Sequence, residues 1–219
     1  MSHGFGFGDG EAADPDAAVA GMRGVAVGIV TDNEDPDGLG RVKLEFPWRD
    51  AEDTSDWARI ATPMAGSGMG AYFLPEVGDE VLVAFENGDV HHPYVLGSLW
   101  NGEDRPPAEN DGDNDVRTIR SRSGHEITLD DDDREGNVTI RSAGGHEIRL
   151  DDANGSETVT ITDSAGETVL TAEGTGTVTL GAGATLKLEA PMLELAADGN
   201  LTVEAGGVLT LKGSLVKIN

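Results

Sequence analysis

Apolar and polar positions alternate along most of the chain, in two styles. Between Gly24 and Asn101 the alternation forms five runs: GVAVGIVT, GRVKLEF, WARIAT, EVLVAF and PYVLGSL. Turn chemistry separates them at Asp35-Pro36-Asp37-Gly38, Pro75-Glu76-Val77-Gly78-Asp79 and Asn87-Gly88-Asp89. Five short strands without an amphipathic helix predict a small closed barrel of the OB type over residues 23–101. An immunoglobulin-like sandwich, with about seven strands, fits less well.

From Val116 the pattern becomes a repeat array. TIRSRSGHEITLDD from Thr118 recurs as TIRSAGGHEIRLDD from Thr139, a shift of 21, and Val138/Ile140 recurs at the same shift as Val159/Ile161. Each unit therefore holds two strands. Farther on, Val178/Leu180, Leu186/Leu188, Leu193/Leu195, Leu201/Val203 and Leu209/Leu211 step by seven or eight, with Val216/Ile218 last. One or two inward apolar residues per strand cannot close a core within one chain, and a lone array would leave open sheet edges. Three chains wound together solve both problems. The expected fold is thus all-β, an N-terminal OB-fold barrel followed by an intertwined trimeric triple-stranded β-helix, a β-prism needle, over 116–219. Each strand is expected to pair with strands of other chains. About 12 strands per chain, stacked at about 4.8 Å, make it on the order of 55–60 Å long. A single-chain solenoid would want longer turns around a wider core. The expected needle core is Ile140, Ile148, Leu150, Ile161, Val178, Leu180, Leu186, Leu188, Leu201, Val203, Leu209 and Leu211, with Gly181-Ala182-Gly183 and Gly206-Gly207 keeping the turns thin.

Composition sharpens this division. Residues 1–22 read as a flexible Gly/Ala/Asp segment, and 102–115, GEDRPPAENDGDND, as a linker. Aromatics are 5% of the 219 residues and stop at Trp100, so the C-terminal half is not a thick globular core. The chain has 41 acidic and 15 basic residues, a formal net charge of −26. That sign weighs against nucleic acid and against an anionic membrane surface as partners. The acids are spread over the whole length, which points to solvation in high salt, a halophilic source, where a Debye length of about 3 Å at 1 M screens the self-repulsion. No Cys is present, which excludes disulfides, thiol catalysis and cysteine-based metal sites. No stretch approaches the roughly 18 apolar residues of a bilayer span, and the first residues lack the pattern of a secretory signal.

The residues of the first half carry a family likeness. GRVKLEFPW at 40–48, Trp57-Ala58-Arg59-Ile60, GMGAYFLPEVGDEVLVAFENGD at 68–89 and HPYVLGSLWNG at 92–102 resemble the spike OB domain of the baseplate assembly protein V and VgrG families. The array resembles the needle of tailed-phage and type VI secretion spikes in its architecture. The resemblance implies an envelope-puncturing spike at the tube tip of a contractile injection machine, assembled in the cytoplasm as part of a baseplate and acting in the extracellular particle or virion. VgrG proteins carry a large hub ahead of the OB domain, and some phage spikes insert a lysozyme domain after it. Here 22 residues precede the barrel and 14 link it to the array, so a separate hub is implied and no enzyme domain is expected. Leu215, Val216 and Ile218 would form an apolar platform for a PAAR-type tip protein. The alternative function is a trimeric β-helical adhesin or tail-fibre-like receptor-binding stalk.

No motif carries catalysis or a cofactor. Asn33 to Gly38 has the N-x-D-x-D-G form of a calcium loop, but Leu44 stands where the bidentate Glu belongs, so a hairpin turn is expected. His91-His92 reads as a turn, since adjacent side chains of an extended segment diverge. His125 and His146 hold equivalent repeat positions, and in a trimer each could form an axial ring for a metal; the preceding glycines favour turns. The run Asp130–Asp133 reads as a solvated turn.

Overall fold

A computed structural model describes residues 24–49, 54–153 and 155–218; the N-terminal segment read as flexible lies outside them. The chain is all-β and divides into two compact units, one ending at Glu109 and the other beginning at Asn110.

In the first unit the predicted runs become strands β1 (Val25–Asp32), β2 (Lys43–Glu45), β3 (Arg59–Ile60), β6 (Glu80–Phe85) and β7 (Pro93–Ser98). Every second side chain turns inward, so Ala26, Val30, Val42, Leu44, Val81, Val83, Phe85 and Val95 form one core with Phe46 and Ala58. Hydrogen bonding orders the sheet β2-β1-β6-β7-β3, with β3 parallel to β7 and the other pairs antiparallel. Bridges from Val42 to Ala58 and from Glu45 to Thr54 bring the ends of the sheet together and close the barrel. Ser55 supports that closure: its backbone N–H donates to Leu44 O at 2.8 Å, and its hydroxyl accepts from Leu44 N–H at 3.0 Å. Phe46 anchors an aromatic cluster, with Trp48 at 5.3 Å and Phe85 at 5.5 Å between ring centroids.

One element escaped the sequence pattern. Between β3 and β6 lies a small hairpin of β4 (Ala65–Gly66) and β5 (Met69–Gly70). Its strands are two residues each and Gly-rich, so no alternation exposes them. Gly70 adopts φ +154°, and a Cβ there would stand 2.6 Å from Met64 O; only glycine fits.

The second unit is an antiparallel meander of seven strands in chain order. These are β8 (Val116–Arg120), β9 (Glu126–Asp130), β10 (Asn137–Arg141), β11 (Glu147–Asp151), β12 (Thr158–Thr162), β13 (Thr168–Glu173) and β14 (Val178–Leu180). The 21-residue repeat is a hairpin repeat. Ser121-to-His125, Ser142-to-His146, Asp163-to-Glu167 and Glu173-to-Thr177 each close a three-residue loop by an N–H to C=O bond of 2.8–2.9 Å. In each, the last loop residue is a glycine at φ between 84° and 93°, the left-handed position such loops require.

The pairing differs from the expected interchain pattern, because β8 to β14 find their ladder partners within their own chain. The reason is spacing: about ten residues per strand-plus-turn is enough to run out, turn and return. From 181 to 218 the described residues carry no strand. There the apolar period shortens to seven or eight, short of the ten or eleven residues from one strand to the next in the meander.

Candidate assembly surfaces

The register of the meander turns single apolar pairs into continuous ladders. Across the strands, Ile119, Ile127, Ile140, Ile148, Ile161, Leu170 and Leu180 stand directly opposite one another in sequence. Two residues along, Leu129, Val138, Leu150, Val159, Ala172 and Val178 form a second row, which begins at Arg117. Both rows share one face, since directly opposed residues of antiparallel strands point the same way. The other face carries a row of Thr118, Thr128, Thr139, Arg149, Thr160, Thr171 and Thr179. Thr118 and Thr128 hydroxyls meet at 3.2 Å, and Arg141 pairs with Glu147 at 2.5 Å on the same face.

The apolar rows are open. Ile140, Ile148 and Leu150 are 39–45% exposed, whereas the flanking polar residues of β9 and β11 are half-buried. That inverts the usual order. Of the expected core residues, the register brings Ile140, Ile148, Leu150, Ile161, Val178 and Leu180 onto this face. Leu186, Leu188, Leu201, Val203, Leu209 and Leu211 lie beyond the meander, each more than half exposed. The expected docking residues Leu215, Val216 and Ile218 are exposed as well.

The turn readings can be followed side chain by side chain. Asp35 accepts backbone N–H bonds from Asp37, Leu39 and Arg41, and Arg41 adds Nε at 2.8 Å and a terminal nitrogen at 2.7 Å. Arg41 also reaches Asp37 at 2.6 Å. A guanidinium thus takes the carboxylates that a calcium ion would need. The Arg41 contact, aided by the backbone donors, holds the Asp35 carboxyl well below the usual carboxylate range. His92 Nδ1 lies 3.0 Å from Asp89, whose carboxyl also accepts the His91 N–H. Asp132 accepts from the N–H groups of Arg134 and Glu135 at 2.8 Å, a solvated turn with its own caps. His125 and His146 directly follow the hairpin loops, immediately before β9 and β11, and His125 Nδ1 accepts the Ala143 N–H at 3.2 Å. Among the described residues, no group of three or more His, Asp or Glu side chains is placed to hold a metal ion.

Sequence comparison covers the barrel. Residues 26–100 match the model of the type VI secretion system/phage-baseplate injector OB domain. The type VI secretion system spike protein VgrG2a of Pseudomonas aeruginosa is 34% identical over 104 residues, 43% of this chain and 12% of that protein. VgrG3 of Vibrio cholerae is 40% identical over 75 residues, 32% of this chain and 7% of that protein. A further V. cholerae relative at 39% identity over 72 residues, 31% of this chain and 7% of that protein, is named actin cross-linking toxin VgrG1. The chain thus spans about a tenth of the length of these relatives. The likeness read from the motifs to the VgrG and baseplate spike families is real, and it resides in the barrel.

Proposed function

From the injector OB domain at residues 26–100 we propose that this protein is a structural spike, which punctures a target envelope at the tube tip of a contractile injection machine. The machine is a phage tail-like particle or a type VI-like system. The observation that carries the reading is the union, in one chain, of that barrel with a repeat sheet whose Ile and Leu rows stand open.

Three chains meeting on those rows form the needle. Each meander supplies one face of a prism, with the apolar rows inside and the threonine row outside. Residues 181–218, with their shorter period, then wind between chains as a triple-stranded β-helix. Backbone ladders closed between copies leave no open edges, and separating them requires breaking many bonds together, which makes unfolding slow. The work is mechanical: sheath contraction drives a thin rigid body forward, and no residue acts as a catalyst. The barrel faces a separate hub protein and the tube. Leu215, Val216 and Ile218 of three chains make an apolar platform for a PAAR-type tip. Assembly takes place in the cytoplasm on a baseplate, and the spike acts in the extracellular particle.

Light scattering of the full chain in molar salt tests the architecture, with three times the chain mass expected; a monomer overturns the needle. Negative-stain images of contractile particles test the role, since the protein belongs at the tube tip. Removing residues 213–219 is expected to abolish co-purification of the tip protein while the trimer survives.

A further inference from the structure

Between Gly24 and Trp100 the Lys and Arg residues are Arg41, Lys43, Arg49 and Arg59 alone. Val42 and Ala58 are buried in the core, and their backbones exchange hydrogen bonds of 3.1 and 2.7 Å. Alternation therefore sets Lys43 opposite Trp57 on the outside of the barrel, with Arg41 and Arg59 as the next pair. Lys43 Nζ lies 5.1 Å from the Trp57 ring centroid, and the Arg59 guanidinium carbon 4.7 Å from that of Tyr94. Arg41 is already paired with Asp35 and Asp37. Among the described residues neither Lys43 nor Arg59 has an ion-pair partner. Lys43 rests on Trp57, and Arg59 donates to the Tyr94 hydroxyl, which in turn donates to Glu86 at 2.8 Å. In a chain of 41 acidic and 15 basic residues, two such cations on one aromatic-backed face point to an anion that covers them.

We infer that this anion is the acidic segment of the same chain just ahead of β1, with Asp14 and Asp16 on Lys43 and Arg59. The inference goes beyond the spike reading and does not depend on the trimer. Residues 1–22 hold Asp9, Glu11, Asp14 and Asp16 and no Lys or Arg. Register supplies the path. Val25 at the start of β1 stands opposite Ala84, Ala84 opposite Tyr94, and Tyr94 opposite Arg59, one row on the outer face. Three interstrand steps of about 4.8 Å separate Val25 from Arg59, about 14 Å in all. Asp16 precedes Val25 by nine residues, a reach of about 30 Å when extended, so the segment arrives with slack. In an extended chain Asp14 and Asp16 fall on one side, about 6.6 Å apart. Lys43 and Arg59 are diagonal neighbours across their strands, a relation with a spacing of about 7–8 Å. The tether selects this occupant. A foreign acidic protein, a nucleic acid or a second copy must approach a chain at −26 against its repulsion. The segment's charges already belong to that total, and a short link holds it at millimolar effective concentration.

Lys43 is one of only four lysines, so coupling by a carbodiimide, which joins an amine to a carboxylate in contact with it, is selective. The full-length protein is coupled at low salt, separated by denaturing electrophoresis and read by peptide mass. The expected product is an amide between Lys43 and Asp14 or Asp16, in the band of single-chain mass. Its yield should fall about threefold in Arg59→Gln, which removes neither coupled group but takes away the second cation. The same link found only in bands of two or more chains overturns docking within the chain. Lys43 left uncoupled, or joined only to other carboxylates, overturns the site, and an unchanged yield in Arg59→Gln overturns the part given to Arg59. Each outcome leaves the spike reading intact, since that rests on the mass of the assembly and its place on the tube.

Discussion

Asp35 and Asp115 show opposite responses to the same excess of negative charge. Asp35 is depressed first by the Arg41 guanidinium, so its contribution to stability is present above the ordinary carboxylate value and is lost as pH falls below about 4. Asp115 is raised, first by burial and then by the charges of Asp113, Asp132, Asp111 and Asp130. A raised carboxyl penalises the fold at neutral pH, and the penalty fades as pH falls toward the ordinary value near 4. The melting temperature followed by circular dichroism is therefore expected to rise modestly as pH falls from neutral toward the ordinary carboxylate value near 4, and to fall below about 4. Asp115→Asn should raise the neutral value and flatten the first limb, and Asp35→Asn should flatten the second. An unaltered first limb in Asp115→Asn would remove the role given to that site. The sequence marked 33–38 as a turn through its Asx and glycine residues. It did not show that Arg41, six residues beyond Asp35, folds back as the cation of that turn, because such a contact depends on the path of the loop.

At the scale of the strand, the proposed trimer places its assembly on one face of the meander. Ile140 and Thr139 are neighbours in β10 and point to opposite faces, Ile140 into the apolar row and Thr139 into the threonine row. Ile140 is 45% exposed in the single chain, so Ile140→Asp costs that chain's own fold little. In a three-chain prism the same change buries three carboxylates together. At ~1–3 kcal/mol or more for each unsatisfied polar group, association should weaken by at least about 100-fold. Thr139→Asp should leave the assembly unchanged. Sedimentation velocity of both variants decides the matter; equal trimer content would sink the face assignment. Period-2 alternation and the 21-residue repeat marked Ile140, Ile148, Leu150, Ile161, Val178 and Leu180 as sharing one side of the array, and the register sets them on one face. The intrachain pairing was not marked: alternation says which way side chains point and is silent on which strand lies alongside. The β4–β5 hairpin was missed for a related reason, since its four residues are too few and too small to alternate.

For the molecule as a whole, charge sets the conditions under which any copy can meet another. The proposed trimer of chains at −26 each would concentrate repulsion that salt must screen, with a Debye length of about 10 Å at 0.1 M and about 3 Å at 1 M. Trimer content and melting temperature should both increase between those concentrations of sodium chloride, steeply for the trimer and less so for the barrel alone in a monomeric Ile140→Asp background. Salt-independent assembly would contradict an acidic surface tuned to high salt.

The sequence by itself determined the all-β class, the five longer runs of the barrel, the repeat and the shared side of its apolar residues. These follow from local physics: side-chain alternation, turn residues and the charge each position carries. It also carried the barrel's family likeness, since those motifs are contiguous in the chain. Only the tertiary structure decided that β3 returns parallel to β7 to close the barrel, that β8 to β14 pair within one chain, and that Tyr72 and Phe73 stand exposed. Each of these depends on residues distant in sequence finding one another, and no local pattern encodes the partner.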